Sequence, residues 1–100
     1  MTTRVFFTPE AAEQVRTIDG WWRRERPAAP LLFSEEFSDA LVLIAGAPQA
    51  GRPYPHATVS EVRRVLLRSS RYHVYYKIHK DDAIILAVWS AVRGSGPELK

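Results

Sequence analysis

The stretch from Val62 to Arg93 constrains the fold of this chain more than any other. It reads Val62-Arg-Arg-Val-Leu-Leu-Arg-Ser-Ser70, then Arg71-Tyr-His-Val-Tyr-Tyr-Lys-Ile-His79 and, after Lys80-Asp81-Asp82, Ala83-Ile-Ile-Leu-Ala-Val-Trp89. β-Branched and aromatic residues dominate each run and short polar pairs separate them, which predicts an antiparallel meander with tight connections. In the second run Tyr72, Val74, Tyr76 and Ile78 alternate with Arg71, His73, Tyr75, Lys77 and His79. One face is therefore expected to be apolar and covered, the other polar. The last run lacks that alternation, as suits an inner strand.

Upstream, Thr3 to Thr8 is a short β-prone run. Thr8-Pro9-Glu10 then offers a capping hydroxyl, a proline at the first helical position and an acid in the first turn. The helix that starts there carries Ala11, Val15, Ile18 and Trp22 on one stripe and ends before Pro27. Pro27-Ala-Ala-Pro30 makes a stiff connector. A second helix is predicted from near Pro30 to about Ala45, with Phe33, Phe37, Ala40, Leu41 and Ile44 inward and Glu35, Glu36 and Asp39 largely outward, stopped by Gly46 and Pro48. Ala47 to Ala57 reads as a loop. The order is β-α-α-β-β-β, a two-layer α+β domain whose mostly antiparallel sheet has a helical hairpin packed on one face.

At 100 residues the chain has room for one domain, residues 1–100, and one core. It contains no Cys, so neither a disulfide framework nor a thiolate metal site is available and a cytoplasmic location is expected. The longest apolar run, Ala83 to Trp89, is far below the ~18 residues of a membrane span. The excess of 14 Lys and Arg over 11 Asp and Glu is modest. Its distribution is not: Arg63, Arg64, Arg68, Arg71, Lys77 and Lys80 follow one another without an intervening acid, a positive field that an acidic partner or a polyanion would meet first.

Other constellations lead nowhere. His56, His73 and His79 do not make a metal set, because His73 and His79 stand six residues apart on one predicted strand, about 20 Å, too far for one ion, so no metal is expected. Trp22 and Trp89 fall at core positions. Trp21 falls off the core stripe and is free to meet a partner. Gly51-Arg-Pro-Tyr lacks the spacing and the following helix of a phosphate cradle.

This order, together with Leu67-Arg-Ser-Ser-Arg-Tyr-His-Val-Tyr-Tyr76, Ala87-Val-Trp89 and Arg93-Gly94, resembles the RelE/ParE superfamily of toxins from type II toxin–antitoxin modules. The resemblance covers nearly the whole chain. It implies a small toxin neutralised by a cognate antitoxin, with two branches: ribosome-dependent messenger-RNA endonucleases like RelE, and ParE-like toxins that poison DNA gyrase. Cleavage of the RelE type uses no metal, so it needs cations around the phosphate and a residue that moves a proton. Arg64 and Arg93 match basic positions of that pattern. Leu66 and His73 stand at two further basic positions, and Leu99 stands where the nuclease branch has a tail Tyr or His.

Leu99 can neither move a proton nor stack on a base. The resemblance is therefore closer to the ParE branch: a toxin that acts by binding, with no cofactor, in a hetero-oligomer with its antitoxin and touching DNA only indirectly through it. Trp21, Arg63, Arg64, Arg68, Arg71 and Arg93 are the residues expected to meet target or antitoxin. Were the chain a ribonuclease, Arg64, His73 and Arg93 would be its catalytic set.

Overall fold

The computed structural model describes residues 3–56 and 58–99. Strand β1 (Arg4–Phe7) leads into helix α1 (Pro9–Glu25) and helix α2 (Leu32–Gly46). A 3₁₀ turn (Pro48–Ala50) and a short strand β2 (Arg52–Pro53) follow, and then the meander β3 (Val62–Leu67), β4 (Tyr72–His79) and β5 (Asp82–Ser90). The sheet order is β1-β5-β4-β3-β2, with β1 parallel to β5 and every other pair antiparallel. This is the α+β arrangement read from the sequence, with one addition. The segment from Ala47, taken for a plain loop, contains the 3₁₀ turn and β2, because Arg52 and Pro53 pair with Arg64 and Arg63.

Helix α1 begins as its capping residues dictate: the Ala11 N–H donates to Thr8 Oγ1 at 3.1 Å, and Pro9 occupies the first turn. Ala11 and Trp22 are buried on the expected stripe, with Val15 and Ile18 packed beside them. The helix stops at Glu25 because the residue before Pro27 is barred from helical geometry. Pro27 to Leu31 then form a tight turn, so α2 starts at Leu32 rather than near Pro30. Phe33, Phe37, Ala40 and Ile44 make its buried face, and Phe33 stacks on Phe37 at 5.7 Å.

Glu36 does not point outward as its position on the helix suggested. Its carboxylate accepts the N–H groups of Ser69 and Ser70 at 2.8 and 2.7 Å and the Ser70 hydroxyl at 2.7 Å, pinning the β3–β4 turn to α2. Burial works to raise the pKa of this group, but the bonds from Ser69 and Ser70 outweigh it and hold the pKa below the ordinary 4.5. The anchor matters because Arg71, at the end of the turn, sits at φ 67°. A bulky residue holds that left-handed conformation only when its surroundings fix it.

Tyr76 locks the other connection. Its hydroxyl donates to the Pro48 carbonyl at 2.6 Å and accepts the Gly51 N–H at 2.9 Å. A side chain at Gly51 would lie 2.5 Å from that hydroxyl, so only glycine lets the backbone come so close. Burial pushes the Tyr76 phenol above its usual value, opposed by the Gly51 N–H and the nearby Arg63.

Two buried clusters lie on opposite faces of the sheet. The larger, between helices and sheet, gathers Val74, Tyr76, Ile85 and Val88 with the inward residues of α1 and α2. The smaller gathers Val62, Tyr75, Leu86, Ala87 and Leu99, with Tyr54, Val59, Ile84 and Trp89 packed on it. The face expected to be polar is thus half covered, and Tyr75, assigned there by alternation, is only 2% exposed. Trp89 likewise belongs to this second layer rather than to the main core. The cause is a bulge in β5: Tyr75 pairs with Ala87 but Tyr76 with Ile85, which leaves Leu86 as the extra residue.

Two stability outcomes follow from this packing. Glu36→Ala removes the acceptor for three donors around Ser70, itself 7% exposed, and should cost about 1–2 kcal/mol in denaturant unfolding. Because the folded pKa of Glu36 is depressed, its contribution is complete above the ordinary carboxylate pKa and fades as pH falls through the depressed value. The wild-type advantage over Glu36→Ala should therefore shrink in acid. Leu99→Ala, at the very end of the described chain, should cost about 1–3 kcal/mol, whereas Val42→Ala, 73% exposed, should cost almost nothing. Equal small effects of the two would show the second layer to be unimportant.

Candidate functional site

β1 covers only the first part of β5, from Asp82 to Ile85. Beyond it the outer edge of β5 meets α1 instead: the Thr8 hydroxyl donates to the Leu86 carbonyl at 3.4 Å, and the Val88 N–H donates to Gln14 Oε1 at 2.8 Å. Where these contacts end, a groove of about 470 Å³ opens between α1 and the ends of β4 and β5. Ile18, Tyr72 and Val88 form its floor, Trp21 and Trp89 its walls. Trp22 Nε1 donates to the Tyr72 hydroxyl at 3.2 Å and so fixes the floor to the core.

Two arginines stand over the walls. The Arg26 guanidinium lies 4.9 Å from the Trp21 ring and that of Arg93 5.0 Å from the Trp89 ring. Trp89 itself is held by its indole N–H, which donates to the Ser95 carbonyl at 3.0 Å. The outcome is an apolar cleft with cationic margins, joined on one side by Glu13. Such a cleft suits the apolar face of an amphipathic segment with acidic flanks.

A second groove, of about 510 Å³, lies at the opposite side of the sheet and is lined by Leu43, Ala50, Arg52, Arg64, Val65, Leu66, Arg68 and His73. One of its cations is supported by aromatic rings. Arg64 sits 4.9 Å from the Tyr54 ring and donates to the Tyr75 hydroxyl at 3.4 Å. Burial, and then the charge of Arg64, hold the His73 pKa below 6.5 and so keep its imidazole neutral at neutral pH. Leu66, 40% exposed, interrupts the basic surface at the position opposite His73.

The expected site residues are thus divided between several places. Arg64, Arg68 and His73 share the basic groove, whereas Trp21 and Arg93 line the apolar one. Arg63 faces away from Arg64 and donates to the carbonyls of Gln49 and Gly51 at 3.1 and 2.7 Å, where it holds the 3₁₀ turn and β2 in place. Arg71 lies exposed in the β3–β4 turn. Arg64 and His73 line the basic groove and Arg93 the apolar one, with His73 paired directly to Trp89, the ring that Arg93 covers, and Leu99 is buried in the second layer.

Arg52, Tyr54, Tyr72 and Gln14 complete these surfaces and were not singled out from the sequence. Arg52 and Tyr54 were hidden in a segment read as loop, though an Arg and a Tyr bracketing a proline were the signal that an edge strand was present. Among the described residues no cluster of His, Cys, Asp and Glu is arranged to hold a metal ion, and no helix is long and apolar enough to cross a membrane.

Comparison with known proteins agrees with this geometry. The solved structures it resembles include the chromosomal ParDE toxin–antitoxin system from P. aeruginosa, with a TM-score of 0.71 at 16% identity over 88% of this chain and 95% of that one. The intact E. coli RelBE complex matches with a TM-score of 0.59 at 19% identity, over 91% of this chain and 99% of that one. A free-state arginine double mutant of E. coli RelE matches at 0.57 and 18%, over 92% and 86%. At such identities the likeness is one of fold. No curated protein matches in sequence. The family model for the ParE toxin of the type II toxin–antitoxin system parDE matches residues 5–93, from β1 to the arginine at the groove margin, and the chain belongs to that family.

Proposed function

We propose that this toxin arrests growth in the cytoplasm by binding DNA gyrase rather than by cutting RNA, and that a cognate antitoxin silences it from the groove between α1 and β5. The observation that carries the first part is the position of the tail. Where a metal-free ribonuclease would place its proton-moving residue, Leu99 is packed under Tyr75 and Leu86 as part of the fold. Arg93 stacks on Trp89 at the margin of the apolar groove, whereas Arg64 and His73 line the basic one. We read such a surface as one that binds, because Leu99 supplies neither the acid nor the base that scission needs at that position. DNA enters the account through the antitoxin and through gyrase, not as a direct ligand.

Expression without antitoxin should induce the DNA-damage response and filamentation, and the purified chain should trap cleaved DNA on gyrase. Rapid codon-specific cleavage of ribosome-bound messages, abolished by Arg93→Ala, would instead establish the RelE-like activity.

The second part rests on the cleft with its cationic margins. An antitoxin segment that is disordered alone would fold its apolar face against Trp21, Tyr72 and Trp89 and set acids against Arg26 and Arg93. Trp21→Ala should mainly speed dissociation, by roughly tenfold or more. Reversal of Arg64 and Arg68 together should slow association at low salt, an effect that fades as salt rises. Surface-binding kinetics across a salt series measures both. An association rate indifferent to salt and to the double reversal would show that the basic groove faces something other than the antitoxin.

A further inference from the structure

We propose that two copies of the toxin pair through the β1 edge, forming a closed two-fold dimer whose sheet runs continuously across both. The sheet has two edges, and they are unequal. β2 is two residues long and carries Pro53 and Arg52, a combination that discourages any further strand. β1 has no proline and no lysine, and its Phe6 and Phe7 are 46% and 40% exposed. Among the described residues no strand lies beyond it.

The backbone of β1 specifies the partner and the register. The Thr8 N–H donates to the Ile85 carbonyl at 3.0 Å, so by the alternation of a strand Arg4, Phe6 and Thr8 direct their peptide groups to β5, while Val5 and Phe7 direct theirs outward. Thr3 also points outward, but its N–H already donates to the Ala45 carbonyl at 3.0 Å. Pro9 has no N–H to give. An incoming antiparallel strand can therefore use both Val5 and Phe7, and a second copy of β1 does so in one register: Val5 opposite the other copy's Phe7, with Phe6 opposite its own symmetry mate. Each Val5–Phe7 pair exchanges two hydrogen bonds, and the Phe6 pair falls at the non-bonded position, where side chains come closest.

Charge permits this pairing. The chain carries a net +3, yet at this edge Arg4 is matched by Asp82 at 3.2 Å, so two copies meet without bringing unmatched cations together. The arginine-rich groove lies on the far side, along β3. Pairing β1 with β2 of another copy would propagate without closing, and Pro53 opposes it. The apolar groove of α1 and β5 contains no residue of β1, so the dimer is independent of the gyrase and antitoxin readings and compatible with an occupied groove.

The absence of any native Cys makes the test direct. At a non-bonded antiparallel pair the Cα atoms stand about 4.5 Å apart, within the range a disulfide spans. Under mild oxidation the full chain bearing Phe6→Cys should cross-link to a dimer at least about tenfold faster than the chain bearing Val42→Cys, which is more exposed but lies on α2. In sedimentation velocity the wild-type chain, purified free of antitoxin, should shift toward a dimer as concentration rises, and Phe6→Lys, which sets two like charges opposite one another, should stay monomeric, with the melting temperature of the wild type at dilutions where both are monomers. A wild-type chain that remains monomeric throughout, with Phe6→Cys no faster than Val42→Cys, overturns the proposal and leaves the edge to a strand from a different protein. A dimer that persists in Phe6→Lys overturns it equally.

Discussion

Leu86 stands as the extra residue opposite the Tyr75–Tyr76 peptide, and this bulge lets one central strand serve two buried layers. Without it, strict alternation would turn Ile85 and Ala87 to one face and Leu86 and Val88 to the other. With it, Ile85 and Val88 both join the helix-covered core, while Leu86 and Ala87 both join the layer beneath Leu99 and Tyr54. That shift explains why the tail has a place to dock. A tail anchored there serves the fold, and the proposed binding function leans on that packing.

The strand arginines have separate duties. Arg63 holds two backbone carbonyls, Arg64 is propped on Tyr54 and Tyr75, and Arg68 lies exposed at the groove. A guanidinium supported by aromatic rings loses little further freedom when it meets an anion, which makes Arg64 a better recognition element than an unsupported lysine. The same logic applies to Arg26 and Arg93 over the tryptophans that wall the apolar groove. On both surfaces the ring contacts thus hold a guanidinium in place without any partner.

Much of this was legible in the sequence, for reasons that can be named. Thr8-Pro9 set the start of α1, the stripe of Ala11, Val15, Ile18 and Trp22 set its buried face, and Trp21 was singled out because it lies off that stripe. These are local signals. What escaped were features that depend on a distant partner. Glu36 looks like any solvated helix acid until the β3–β4 turn is brought beneath it. Tyr75 looks like a polar-face residue until Leu99, far away in the chain, covers it. Arg63 and Arg64 look alike as neighbours, and only their opposite directions from the sheet separate a structural role from an exposed one.

The length of β1 ties these surfaces together. At four residues it reaches only as far as Ile85, so the outer edge of β5 from Leu86 to Ser90 must find other partners. Thr8 and Gln14 supply them as far as Val88, and the groove begins where they stop. A longer first strand would pair with Trp89 and Ser90 and fill the cleft. A shorter one would withdraw Phe7 from the outer edge and from its contact with Phe37, 5.9 Å away, leaving α2 less firmly seated. The groove and the open edge are therefore two consequences of one short strand: it ends early enough to leave a cleft beside α1 and still presents Val5 and Phe7 outward.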